Sequence, residues 1–128
     1  MLMCICGFSC LMPMDIRYAL YIKNGSNHPV AFYVAADREH MYPDTTLECN
    51  NPGMRTIEPG RSVSWGMSQS FDKFFKNLPT DTLSIYLFHP DTLARYDWNV
   101  IRNDYKVLKR YDLSLDDLKN TDFNVTYP

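Results

Sequence analysis

The chain has 128 residues, enough for one domain with a core that needs neither disulfide nor metal to hold it. Apolar residues make up 45% and charged residues 22%, ordinary globular values that exclude a disordered or low-complexity chain. Thirteen basic against fifteen acidic residues leave a formal charge of −2, with no electrostatic footprint for nucleic acid. The departure from average is aromatic: nine Tyr, seven Phe and two Trp, side chains that favour a pleated surface.

Residues 1–14 are apolar and uncharged, and Pro13 and Asp15 end them too soon for a membrane span. Three of the four cysteines, Cys4, Cys6 and Cys10, fall in this stretch, which argues against a disulfide framework. Nothing supplies the second ligand pair that a closed zinc site needs, so no metal and no cofactor is expected. Gly7-Phe8-Ser9-Cys10 has the form of the end of a bacterial lipoprotein signal, with Cys10 the lipidated residue. No Lys or Arg precedes the run and its apolar part is short, so the expectation is a signal whose start lies upstream of Met1. The alternative is an apolar arm on a cytoplasmic protein.

From Ile16 the pattern has period two, with Ile16, Tyr18, Leu20 and Ile22 on one face of a strand. Asn24-Gly25 tolerates a tight reversal, and Val30 to Ala35 alternates again, so the two strands are expected to pair as a hairpin with His28 and Pro29 at its mouth. Asp37 to Gly53 reads as a long surface loop carrying Tyr42 and Cys49, and loops of that length are often functional. Met54 to Ile57, the type II turn signal Glu58-Pro59-Gly60-Arg61 and Ser62 to Met67 predict a second hairpin. Phe71, Phe74, Phe75 and Leu78 recur at helical spacing behind a capping Ser70. Asp81 to His89 is apolar on both faces and is the candidate centre of a sheet. Pro90-Asp91-Thr92 and Asp97 predict short helical turns placing Trp98, Ile101 and Tyr105 on one face. Val107 to Leu113 alternates, Ser114 to Leu118 carries a capping box, and Phe123 to Tyr127 is a last strand.

These elements predict a mainly β fold: a two-sheet β-sandwich of about seven strands with two or three short helical inserts, spanning 15–128 as a single domain. Leu83 to Phe88, Trp98-Asn-Val-Ile101, Val107 to Leu118 and the terminal Asn124-Val-Thr-Tyr-Pro128 resemble small secreted or lipid-anchored sandwich proteins of Bacteroides and related gut Bacteroidetes. The resemblance implies a lipoprotein signal just before the first strand and a place in the cell envelope. It carries no activity, so it assigns no catalytic residue.

The residues point to no enzyme. His28, His40 and His89 each stand at a turn or strand end, where an exposed imidazole with no partner is expected, and Asp117 is explained by the capping box. Cys49 has no basic neighbour to activate it, and the five glycines, all placed at turns, form no phosphate-cradling loop. Trp65 reads as a core anchor. Too many tyrosines remain for one small core, and partly exposed aromatic rings suit sugar stacking or protein contact. Tyr33, Tyr42 and Tyr96 are the candidate ligand-binding residues, for a carbohydrate or protein partner and no nucleic acid, with membrane contact only through a lipid at Cys10. The expected function is therefore a non-catalytic interaction module; the alternative is a structural accessory subunit of an envelope complex.

Overall fold

The computed structural model describes residues 18–35, 54–78 and 81–128. Among them are seven strands in two sheets and four short helices. In chain order these are β1 (Tyr18–Asn24), β2 (Val30–Ala35), β3 (Arg55–Ile57), β4 (Ser62–Met67), α1 (Phe71–Lys76), β5 (Leu83–Phe88), α2 (Pro90–Arg95), α3 (Trp98–Asn103), β6 (Lys109–Leu113), α4 (Leu115–Asn120) and β7 (Asn124–Tyr127). The strand orders are β4-β1-β7 and β3-β2-β5-β6, so the fold is mainly β and sandwich-like, as the alternation of apolar residues predicts. Residues 37–53, expected from the sequence to be a loop and including His40, Tyr42 and Cys49, and the N-terminal run with Cys10, lie outside the described residues.

The main core lies between the sheets. Leu20 and Ile22 of β1 and Val125 of β7 meet Phe32, Ile57, Ile85 and Leu87 of the other sheet, and Phe71, Phe74, Phe75 and Leu118 of α1 and α4 complete it. Each such side chain, fully buried, contributes about 1.5–3 kcal/mol. Trp65 packs on this core edge-on to Phe74, 6.1 Å between ring centroids, the anchoring role expected of it. The helix starts also agree with the sequence: Ser70 Oγ accepts from Lys73 N at 3.2 Å, and Ser114 and Asp117 form a complete capping box.

Neither predicted hairpin forms. β1 and β2 belong to different sheets, as do β3 and β4, and each connection crosses the sandwich. β2 is held on one side by β3 and on the other by β5, which leaves β1 no free edge to pair with. The turn chemistry itself is as expected. Gly60 adopts φ +76° and Arg61 N donates to Glu58 O at 3.0 Å. A tight reversal sets a change of direction, however, and the choice of sheet is made by what the following strand can bury.

The two crossings are laced together at one end of the molecule. Asn24 N donates to Arg61 O at 2.9 Å and Gly60 N to Asn24 O at 2.7 Å. The Asn24 side chain, fully buried, donates to the carbonyls of His28 and Ile57 and accepts from Ser26 N and Oγ.

A second, smaller core covers the outer face of the four-stranded sheet. Ala31, Ala35, Tyr86 and Phe88 pack there under Ile101 of α3, with Tyr33, Leu93 and Trp98 against them. This accounts for part of the surplus of aromatic side chains: Tyr86, on a strand expected to be buried on both faces, is fully buried in a core separate from the main one. Tyr105 does not share the inward face of α3. It follows the helix in a left-handed conformation, φ 52°, and stays exposed, with its hydroxyl accepting from Arg110 Nη1 at 2.9 Å. Gly66 lies inside β4 opposite Ala19 rather than at a turn.

Candidate functional site

Beyond the end of β5 the chain builds an open cavity of about 470 Å3, within the range of small-ligand sites. Its construction starts at His89, which caps α2: Nδ1 accepts from Asp91 N at 3.1 Å. Pro90 at the first helical position has its φ preset for the helix and lacks only a donor that would go unused there. After one and a half turns α2 ends at Tyr96, whose ring stays 38% exposed. The opposite wall comes from the segment returning from α3. Lys106 N donates to Ile101 O, and Leu108 N donates to Leu87 O at 2.8 Å, tying this segment to β5. Val107 and Leu108 line the apolar part, while Thr92, Arg95 and Lys106 supply polar groups.

Lys106 Nζ sits 4.4 Å from the centroid of the Tyr96 ring, a cation–π contact that orients both side chains. Among the described residues neither Arg95 nor Lys106 has a carboxylate partner. The carboxylate on the wall, Asp91, lies 3.7 Å from His89 Nδ1.

His89 is also stacked on His28, with ring centroids 4.9 Å apart and planes inclined by 23°. The expectation that these imidazoles stand without partners is therefore incorrect. The antiparallel pairing of Ala31 with Phe88 brings the two chain segments together, and the separation of His28 and His89 along the sequence hides it. Hydrogen bonding sets the tautomers. His28 Nδ1 faces Pro29 O at 3.0 Å, which can only accept, so it carries the hydrogen; His89 Nδ1 faces an N–H, so its hydrogen is on Nε2. Metal ligation through His89 Nε2 would require moving that hydrogen to Nδ1 and giving up the helix cap. Among the described residues no cluster of three or more His, Cys, Asp or Glu is arranged to hold a metal ion.

Of the predicted ligand residues, Tyr96 lies in the cavity and Tyr33 does not. Tyr33 packs beside Tyr86 in the second core, 6.2 Å between centroids. Tyr42 and Cys10 lie outside the described residues.

One further polar group, not foreseen from the sequence, joins β5 to β6. Ser84 Oγ donates to Asp112 Oδ1 at 2.7 Å, the same oxygen that accepts from Arg110 Nε at 2.9 Å. Burial works against the charge on Arg110, but its bonds to Tyr105 and Asp112 outweigh that and hold it above the ordinary arginine value. Ser84 is fully buried and the Asp112 oxygen it donates to is already paired with Arg110, so this group reads as a cross-strand tie closed to substrate rather than an activated nucleophile.

No protein-family model, no curated protein and no solved structure matches this chain. No helix among the described residues is long and apolar enough to cross a membrane.

Proposed function

We propose that the protein is a non-catalytic interaction module of the bacterial cell envelope that binds a glycan in the cavity around Tyr96. The observation that carries this reading is Tyr96 itself: a partly exposed aromatic ring held in orientation by Lys106, in an open cavity whose other walls offer hydroxyl, imidazole and guanidinium groups. A rigid ring beside a few polar groups is the usual arrangement for an amphipathic ligand such as a sugar. The non-catalytic reading is supported by how the polar groups are used. His89 Nδ1 caps a helix, Asp117 closes a capping box and Ser84 donates to Asp112.

The envelope location is supported by the sequence, through the apolar run ending at Cys10 and the resemblance to lipid-anchored sandwich proteins of Bacteroides. Fatty-acid labelling of the protein in its host, lost on Cys10→Ala, is the expected result; no incorporation removes the anchor. Titration calorimetry against a panel of soluble oligosaccharides tests the cavity. Saturable binding tighter than about 1 mM, weakened about tenfold or more by Tyr96→Ala, is the expected outcome. Binding that Tyr96→Ala leaves unchanged overturns the site.

A second reading, an accessory subunit docking on another envelope protein, is favoured by Tyr21. This ring is 46% exposed on the outer face of the three-stranded sheet, between Ser64 of β4 and Asn124 of β7. Light scattering and copurification with Tyr21→Ser as the comparison separate the two readings.

A further inference from the structure

We infer that the group recognised in the Tyr96 cavity is an anion, a carboxylate or a sulfate or phosphate ester, gripped between Arg95 and Lys106; the inference rests on the reading of this cavity as a glycan site. Arg95 brings five N–H donors and Lys106 three, and neither side chain has any acceptor of its own. The cation–π contact with Tyr96 keeps the Lys106 ammonium in place but satisfies none of its N–H groups. His89 adds another donor, because the bond from Asp91 N to Nδ1 leaves the hydrogen on Nε2, and stacking on His28 holds that ring in position.

Against these donors the described residues of the lining supply one anion, Asp91, beside His89. With His89 neutral the lining carries two positive charges and one negative, in a chain whose net charge is −2. A neutral sugar hydroxyl both donates and accepts, so it uses this donor surplus poorly and leaves the two cations without a counter-charge. An oxyanion only accepts, and it forms charge-assisted bonds with both guanidinium and ammonium. The planar fork of Arg95 matches two oxygens of a carboxylate, sulfate or phosphate at once, while Lys106 acts as a point charge across the cavity. An acidic glycan, with an apolar ring face for Tyr96 and an anionic substituent for Arg95 and Lys106, meets both halves of the site.

The test is calorimetric titration of the full chain with matched neutral, uronic-acid and sulfated disaccharides, together with inorganic sulfate, at two ionic strengths. An acidic sugar should bind about tenfold or more tightly than its neutral counterpart, with a preference that weakens as salt is raised. Arg95→Gln and Lys106→Gln should each erase most of that preference, Arg95→Lys should restore part of it, and Lys23→Gln on the outer face of β1 should leave it intact. Circular dichroism confirms that each variant folds. Uronate against sulfate ester then identifies the source of the charge. Equal affinity for neutral and acidic sugars, with Tyr96→Ala still weakening both, overturns the anion and leaves the glycan reading standing. Arg95-dependent binding of sulfate with no sugar bound overturns the glycan and keeps the anion. No binding of any probe overturns both.

Discussion

The side-chain amide of Asn24 donates to the backbone carbonyl of Ile57 at 2.9 Å, joining β1 of one sheet to β3 of the other. The same nitrogen reaches His28 O at 2.7 Å, so a single buried residue satisfies two carbonyls at the end where the chain crosses the sandwich. Asn24→Ala removes the side-chain donor to Ile57 O and the acceptor for Ser26 N, while His28 O keeps Ser26 Oγ at 3.0 Å, and the expected loss is about 2–4 kcal/mol in denaturant unfolding. The exposed neighbour Lys23→Ala should change stability by less than about 0.5 kcal/mol. Similar losses for the two variants would show that the amide is not what holds the crossing.

Two glycines at the same end separate steric from conformational cost. A Cβ on Gly25 would lie 2.9 Å from the carbonyl oxygen of Tyr127, backbone that cannot move aside cheaply. At Gly60 a Cβ meets nothing within 4 Å, but φ is +76°. Gly25→Ala should therefore cost about 1–3 kcal/mol through forced displacement of β7, and Gly60→Ala about 1–2 kcal/mol through backbone strain alone. Amide chemical shifts decide between the mechanisms: the first variant should perturb Thr126 and Tyr127, the second only the turn.

The capping box of α4 is a local device with a local cost. Ser114→Ala removes the acceptor for Asp117 N, 3.0 Å away, and should lose about 1 kcal/mol in thermal or denaturant unfolding. Ser114→Asp, which keeps an acceptor at the cap, should recover most of it. Equal loss in both variants would place the contribution of Ser114 elsewhere.

Burial, with the nearby Tyr127 adding to it, pushes the Tyr111 hydroxyl above its ordinary value of 10.0. The neutral form is thus favoured in the folded state. The unfolded chain releases this proton first, so the contribution is fully present below about pH 10 and is lost as pH rises through the folded-state value. Wild-type stability should fall more steeply above pH 10 than that of Tyr111→Phe, and the two profiles should run parallel below it. Parallel profiles throughout would sink the assignment.

How much of this was legible follows from the range of the interactions. Alternation in β1, with Leu20 and Ile22 buried and Tyr21 and Lys23 exposed, is written in consecutive residues, and so are the caps at Ser70 and Ser114 and the turn at Gly60. Tyr96 could be singled out because an aromatic residue between two short helices has no assured interior place. Its companions could not: Lys106 and His28 reach the site only through the return from α3 and the pairing of β2 with β5.

The sequence by itself determined seven strands, the helix starts and a two-sheet architecture, since period and capping depend on neighbours a few residues apart. Only the tertiary structure decided that both reversals cross between sheets, that Tyr86 lies in a second core under α3, and that His89, stacked on His28, lines one cavity with Tyr96 and two cations. The physical reason is that partner choice is settled by burial over the whole molecule. β2 and β5 are apolar on both faces and take the interior positions of a sheet covered on both sides, and every strand that turns into or out of them must go where an edge is left.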